Sequence, residues 1–238
     1  MPADLNSLLQ DVEVVAFDGD DTLWHSENLF AMTEEKFIDL VSGYVSDADI
    51  KDRLFRTEMK NLGIFGYGTK GFIISMIETA LELTEEQISG SDIQKIIALG
   101  KDMLEHPVQV LPGVSETLAA LAPRFRLLVI TKGDLFDQES KLARSGLAEH
   151  FWKIEIVSEK DEATYRDILT RHEVRPDRFL MVGNSVRSDI LPVLGLGARA
   201  VYVPYHVTWQ HETVELDPQT TDGRVVELES LAALASGI

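Results

Sequence analysis

Three carboxylates follow an apolar run near the start of the chain. Residues 12–17 are rich in β-branched side chains, which is typical of a buried strand in a parallel sheet. Asp18, Asp20 and Asp21 come next, with Gly19 allowing a sharp turn where the strand ends. Such carboxylates repel one another and lose hydration, so a cation or a reaction should need them. A strand-end carboxylate can attack phosphorus or carbon and hold a covalent intermediate, whereas the structural alternative is an acidic turn that caps the next helix.

The rest of the chain predicts the elements that position these acids. Residues 25–106 show apolar spacing typical of four or five helices and no convincing strand. Beyond residue 112 helices and strands alternate, which indicates βαβ units. We therefore expect an α/β fold, a Rossmann-like parallel sheet with helices on both faces, plus an all-helical insert after the first strand. The predicted strands cover 12–17, 126–130, 154–157, 179–182 and 199–203, and the predicted helices cover 115–121, 134–144, 162–171, 186–194 and 226–234.

Composition narrows the functional classes. The 238 residues carry a formal net charge of −18, which argues against nucleic-acid binding because phosphate backbones need basic patches. An anionic substrate would then require a divalent cation and a few local lysines. The sequence has no cysteine, which excludes a thiol nucleophile and fits a reducing, cytoplasmic location. No apolar run reaches the length of a membrane span and no signal peptide is evident, so we expect no membrane partner.

The first motif points to a known family. Asp18-x-Asp20-x-Thr22-Leu23 after an apolar strand resembles the first motif of the haloacid dehalogenase superfamily. The resemblance implies that the sheet core comprises residues 1–24 and 107–238. It also implies that the helical insert, residues 25–106, is a cap domain that helps select the substrate.

Two further motifs of that superfamily follow in order. Thr131 ends the second core strand, where a hydroxyl and the next backbone N–H can bind a phosphoryl oxygen. Lys132 stands where the family more often has Asn, so it either adds positive charge for substrate binding or points outward. Lys160 follows the third core strand, and its ammonium would offset repulsion between Asp18 and an incoming phosphate. The alternative for Lys160 is a solvated surface lysine.

The fourth motif supplies further candidate metal ligands. Asp189 matches the family's metal-binding acid, and Asn184 stands where an Asp is common. An amide oxygen can still face a hard cation with one negative charge fewer. The resemblance therefore implies Mg²⁺ held by Asp18, the backbone carbonyl of Asp20, Asp189 and Asn184.

The implied reaction is hydrolysis of a small phosphorylated metabolite, a phosphate monoester. Asp18 would attack phosphorus, and Asp20 would protonate the leaving alkoxide and then activate water. Thr131, Lys160 and Mg²⁺ would stabilise the transferring group. A haloacid dehalogenase, a phosphomutase and a non-catalytic binding protein on the same fold are the alternatives, although dehalogenation needs no acid two residues after its nucleophile. A homodimer is left open.

Two glycine patterns imitate dinucleotide-binding fingerprints. Residues 195–200 follow a predicted helix and enter a strand, so we interpret them as a helix stop. Residues 66–71 lie inside the helical insert, where we expect a flexible loop that carries Tyr67 and Lys70. These two side chains would contact the substrate's leaving group, and the alternative is a plain interhelical turn.

Overall fold

The computed structural model describes residues 5–46, 49–217 and 221–235. The chain divides into two compact units. We call Met1–Glu27, Val108–Lys132 and Glu139–Ile238 the sheet unit, and Asn28–Pro107 with Gly133–Gln138 the helical unit. Within the described ranges no helix is both long enough and apolar enough to span a bilayer.

Helices fill most of the chain between the strands. The α-helices are α1 Leu5–Leu9, α2 Glu27–Val41, α3 Ile50–Phe65, α4 Thr69–Leu83, α5 Gly90–Glu105, α6 Val114–Leu121, α7 Leu135–Ser145, α8 Glu162–Arg171, α9 Leu191–Gly195 and α10 Ala232–Ala235.

A parallel sheet forms the centre of the sheet unit. Its strands stand in the spatial order β3-β2-β1-β4-β5-β6, and every neighbouring pair is parallel. This confirms the predicted Rossmann-like α/β class, because this strand order is that of a doubly wound sheet. The strands are β1 Val14–Phe17, β2 Arg126–Lys132, β3 Lys153–Val157, β4 Phe179–Gly183, β5 Arg199–Tyr202 and β6 Val225–Glu227.

The strand register brings the motif residues to one edge of the sheet. Phe17, the last residue of β1, pairs with Val129 of β2 and with Val182 of β4. Strand β4 ends one residue beyond Val182 and β2 three residues beyond Val129, so the carboxyl ends of these three strands lie at the same edge of the sheet. From β1 the chain continues to β2 on one side, whereas β4 on the other side continues to β5, so the strand order reverses between β1 and β4, which is where open α/β sheets bind ligands.

Alternate residues of the strands enter two separate hydrophobic cores. Val15 and Phe17 pack on one face of the sheet, and Val14 and Ala16 pack on the other. All four side chains are fully buried. Because helices cover both faces, the strands need continuous apolar runs, and this is the pattern that the sequence shows.

The helical unit has a core of its own. Helices α2 to α5 supply it, and Phe37, Leu54, Met76 and Ile96 are its most deeply buried large side chains. The unit differs from the expected insert 25–106 because it begins at Asn28, ends at Pro107 and also includes Gly133–Gln138.

Two predicted elements take another form. Residues 226–234 do not form one helix, since β6 occupies Val225–Glu227 and only Ala232–Ala235 is helical. The Leu-, Ala- and Glu-rich composition favours a helix, but parallel pairing with β5 determines the backbone at Val226. The predicted helix 186–194 consists of a π-helical turn, Val186–Ile190, followed by α9.

Candidate active site

A buried ammonium joins two carboxylates at the edge of the sheet. Lys160 Nζ lies 2.5 Å from Asp18 Oδ1 and 2.7 Å from Asp189 Oδ1. The three residues are only 3%, 7% and 1% exposed, respectively. Asp18 is the first residue after β1, and its backbone N–H donates to the Val182 carbonyl at 2.9 Å, so β4 holds it in place. The alternative of a solvated surface Lys160 is wrong, because this side chain is enclosed.

The burial of this triad sets its protonation states. Burial raises the pKa of Asp18 to about 7, an effect that Lys160 opposes and Asp189 reinforces. Burial acts to lower the pKa of Lys160, but the two carboxylates more than offset it and hold that pKa above its ordinary value. Lys160 is therefore a cation at neutral pH, and its charge favours the ionised, nucleophilic form of Asp18.

A second group of oxygens converges beside the Asp18 carboxylate. One terminal atom of the Asn184 amide lies 3.2 Å from Asp18 Oδ2 and 3.3 Å from both Thr22 Oγ1 and the backbone carbonyl oxygen of Asp20. With its nitrogen in this position, the amide donates to the oxygens. With its oxygen there, Asp18, Asp20 and Asn184 present three acceptors to one point, and a cation between them would satisfy all three. Thr22 Oγ1 also donates to Asp18 Oδ2 at 3.3 Å.

The donor set fits Mg²⁺. Mg²⁺ prefers oxygen ligands and retains several waters, so carboxylate, backbone carbonyl and amide oxygens suit it. Among the residues that the structure describes, no three His, Asp or Glu side chains form a ready-made metal cluster. The set that fits Mg²⁺ instead combines the Asp18 carboxylate with the Asp20 carbonyl and the Asn184 amide. The Asp189 carboxylate lies beside this set, because Lys160 Nζ contacts both Asp18 and Asp189.

Glycine permits the close approach of Asp189. A Cβ atom at Gly183 would lie 2.2 Å from Asp189 Oδ2, so any larger residue there would displace this carboxylate. Asp189 Oδ2 also accepts from the Ser185 backbone N–H at 3.0 Å. The strand end and the turn that follows it thus hold Asp189 from two sides.

The carboxylate of Asp20 has two partners that sequence reasoning missed. Trp24 Nε1 donates to Asp20 Oδ1 at 2.7 Å, and Lys141 Nζ lies 3.0 Å from the same oxygen. The Asp20 side chain keeps 30% of its surface exposed, so it can reach a substrate or water. Trp24 lies four residues after Asp20 and could have been suspected, whereas nothing in the sequence distinguishes Lys141 from other lysines of a helix.

The third acid, Asp21, has a structural role. Its Oδ1 accepts from the backbone N–H of Ser26 at 2.8 Å, and its Oδ2 accepts from that of Glu27 at 3.0 Å. Asp21 therefore caps the first turn of α2. The capping interpretation of the acidic turn is correct for this one residue, and it leaves Asp18 and Asp20 for chemistry.

The two candidate residues at the end of β2 differ in their surroundings. Thr131 is 1% exposed and lies beside Gly19, where an added Cβ would be 3.2 Å from Thr131 Oγ1. Lys132 turns its ammonium to Glu212 Oε1 at 2.6 Å, Ser188 Oγ at 2.9 Å and Glu159 Oε1 at 3.4 Å. Lys132 thus neither points outward nor has an isolated charge, and a substrate contact of its side chain stays a prediction.

Tyr67 and Lys70 belong to the helical unit. The expected loop 66–71 is shorter, because α4 begins at Thr69 and includes Lys70. Lys70 Nζ pairs with Asp134 Oδ1 at 2.9 Å within the same unit, and this contact lowers the pKa of Asp134. Lys70 is therefore ordered by an ion pair, while its role and that of Tyr67 stay predictions.

The fold and the motif residues define a hydrolase class that comparison with known proteins confirms. The family model of haloacid dehalogenase-like hydrolases matches residues 12–195. The chain belongs to this family and is an enzyme of the hydrolase type. This result confirms the resemblance that the four motifs indicated.

Three relatives illustrate the match. A haloacid dehalogenase-like family hydrolase from Xanthomonas campestris shares 43% identity and a TM-score of 0.85, covering 95% of this chain and 90% of that one. A glyceraldehyde 3-phosphate phosphatase from Methanothermobacter thermautotrophicus is 25% identical over 83% of this chain and 88% of its own length. A haloacid dehalogenase-type hydrolase from Bacillus subtilis, solved with bound magnesium, has a TM-score of 0.61 at 17% identity, covers 81% and 88% of the two chains, and shows the fold alone.

Proposed function

We propose that this hydrolase is a Mg²⁺-dependent phosphatase that cleaves a small-molecule phosphate monoester through an aspartyl-phosphate on Asp18. The observation that carries the proposal is the placement of Asp20, whose carboxylate follows the nucleophile by two residues and is held by Trp24 and Lys141. Attack on the carbon of a haloacid would need no acid at this position. Transfer of a phosphoryl group from an alkyl oxygen to Asp18 needs one, because the alkoxide is a poor leaving group.

The first step forms the covalent intermediate. An oxygen of ionised Asp18 attacks phosphorus, the bond from phosphorus to the substrate oxygen breaks, and protonated Asp20 gives its proton to that oxygen. Lys141 favours the ionised form of Asp20, so their contact has to loosen when substrate binds.

The second step regenerates the enzyme. Ionised Asp20 takes a proton from water, the water oxygen attacks phosphorus, and the bond to Asp18 breaks to release phosphate. The ion pair with Lys141 suits this half of the cycle, because Asp20 must now be a base. A mutase would pass the phosphoryl group to a sugar hydroxyl instead of water.

Charge on the transferring phosphoryl group needs hydrogen-bond donors and cations around it. We assign the Thr131 hydroxyl, the backbone N–H of Lys132 and the Lys160 ammonium to its oxygens. Mg²⁺, held by Asp18, the Asp20 carbonyl, Asn184 and Asp189, would neutralise the charge shared by nucleophile and phosphate. Together these cations reverse the local field of a chain whose net charge is −18.

The reaction and one relative support the proposed substrate class. A phosphatase relative that acts on glyceraldehyde 3-phosphate aligns with most of this chain, which supports a small phosphorylated metabolite. We propose that Tyr67 and Lys70 contribute to selectivity among such metabolites. Tyr67 can stack or donate a hydrogen bond, and Lys70 can exchange Asp134 for an anionic substrate group.

A metabolite screen tests the proposal. Phosphate release from a panel of phosphate monoesters is measured with Mg²⁺ and with excess chelator, for the wild type and for Asp18→Asn. We expect release that needs both Mg²⁺ and Asp18, with circular dichroism confirming that the variant is folded. Halide release from haloacids, phosphate transfer to sugar, or full activity of the variant would contradict the proposal.

A further inference from the structure

One partly buried carboxylate of the C-terminal segment, the chain after β5, contacts the loop after β4, residues 184–189. Glu212 lies in a 3₁₀ turn, and its side chain is 13% exposed. Its Oε1 accepts from Lys132 Nζ at 2.6 Å, and its Oε2 accepts from Ser185 Oγ at 2.5 Å and from Ser188 Oγ at 2.6 Å. Both oxygens therefore have donors, and two of these donors belong to the loop that carries candidate metal ligands.

The serines connect Glu212 to those ligands. Ser185 directly follows Asn184, and its backbone N–H donates to Asp189 Oδ2 at 3.0 Å. The Asp189 N–H donates back to the Ser185 carbonyl at 2.8 Å, and the Ser188 N–H donates to Ser185 Oγ at 3.0 Å. A displacement of the Ser185 side chain would therefore shift the residues on both sides of it.

We propose that Glu212 is a positioning residue for the metal-binding loop. It acts through the hydroxyls of Ser185 and Ser188, which hold the loop so that Asn184 and Asp189 present their oxygens to Mg²⁺. The inference rests on the proposed function, because it assumes that these residues bind the metal. Partners behind metal ligands fix ligand orientation and contribute measurably to affinity.

Lys132 explains why a carboxylate can occupy this place. An ionised carboxylate accepts hydrogen bonds from both hydroxyls, whereas a protonated one would have to donate. The ammonium of Lys132 keeps Glu212 ionised, and it also donates to Ser188 Oγ at 2.9 Å. The departure from the family's more common Asn at position 132 is thereby linked to an acid eighty residues away.

Isothermal titration of the purified full chain with Mg²⁺ tests the inference. Glu212→Gln should weaken Mg²⁺ binding about 10–100-fold, which is the effect typical of partners behind metal ligands. Hydrogen exchange at residues 184–189 should also become faster. Glu155→Gln is the matched control. Glu155 lies on the edge strand β3, is 14% exposed and pairs at 2.6 Å with Arg171 of α8.

A serine variant separates positioning from simple anchoring. Ser185→Ala with Ser188→Ala leaves the partner lysine of Glu212 in place, so this variant should remain folded. It should lose Mg²⁺ affinity to the same extent as Glu212→Gln, and combining all three changes should bring no further loss.

Distinct outcomes would overturn the inference. Unchanged Mg²⁺ affinity in Glu212→Gln, with a melting temperature lowered as in Glu155→Gln, would mean that Glu212 only anchors the C-terminal segment. Equal losses of Mg²⁺ affinity in Glu212→Gln and in the control Glu155→Gln would also overturn it, as would additive losses when Glu212→Gln is combined with the two serine changes. Absence of Mg²⁺ binding by the wild type would refute the proposed metal site itself, which distinguishes the two failures.

Discussion

Replacing Lys160 by Met removes the ammonium between Asp18 and Asp189. At an effective dielectric constant of about 20, a charge pair at 2.5 Å is worth roughly 6 kcal/mol before lost hydration is subtracted. If about a third of this remains, the pKa of Asp18 rises by roughly 1.5 units, since one unit corresponds to about 1.4 kcal/mol. The variant also lacks one electrostatic partner of the phosphoryl group. We therefore expect kcat/KM at pH 7 to fall about 10²–10³-fold.

The pH profile identifies the cause. Loss of a cation disfavours the ionised carboxylate, so the acidic limb of kcat/KM should move to higher pH and activity should partly recover as pH rises. The assay compares wild type, Lys160→Met and the control Lys153→Met, whose side chain is exposed at the other end of β3. A loss smaller than threefold at every pH, or an acidic limb moved to lower pH, would refute the reasoning.

Three further predictions concern the acid, the C-terminal segment and the helical unit. Lys141→Met should lower kcat for alkyl and aryl phosphates alike, because Asp20 loses the ion pair that favours its role as base toward water in the step that all substrates share; slowing confined to alkyl phosphates in steady-state assays would count against it. Burial acts to raise the pKa of Glu212, but its ion pair lowers it to about 2 from 4.5. The lowered pKa stabilises the folded state by about 3 kcal/mol above pH 4.5, and this stabilisation is lost as pH falls toward 2. The free energies of unfolding of wild type and Glu212→Gln, measured with urea, should therefore converge over that pH range. A difference that stays constant with pH would contradict this prediction. Tyr67→Ala with Lys70→Ala should change selectivity among metabolites in kcat/KM assays while barely affecting acetyl phosphate, and equal effects on both would exclude a specificity role.

Most of the candidate site residues lie at the positions in the sheet that the sequence pattern predicts. Asp18 and Lys160 follow strands of a parallel sheet and Thr131 lies near the end of β2, and the carboxyl ends of such strands meet at one edge. The prediction needed only the apolar runs and the order of the motifs. It could not give the contact between Lys160 and Asp189, because the turn after β4 decides where that carboxylate points.

The missed residues belong to elements whose placement depends on packing. Lys141 reaches Asp20 because of the way α7 packs, and helical periodicity alone does not choose which lysine faces the site. Glu212 comes from a polar segment without periodicity, so no local signal indicates that its carboxylate contacts Lys132 and the loop after β4. Strand β6 was predicted as helix because three residues carry little pattern, and pairing with β5 outweighs their propensity.

The nucleophile can be tested most directly by trapping the covalent intermediate. The enzyme is mixed with its best substrate and Mg²⁺, quenched within one turnover, reduced with borohydride and mapped by peptide mass spectrometry. We predict that reduction converts the phosphorylated side chain at Asp18 to homoserine, and that Asp18→Asn shows no modification. Phosphate release with an unmodified Asp18 peptide, or a phosphoryl group on another residue, would contradict the account.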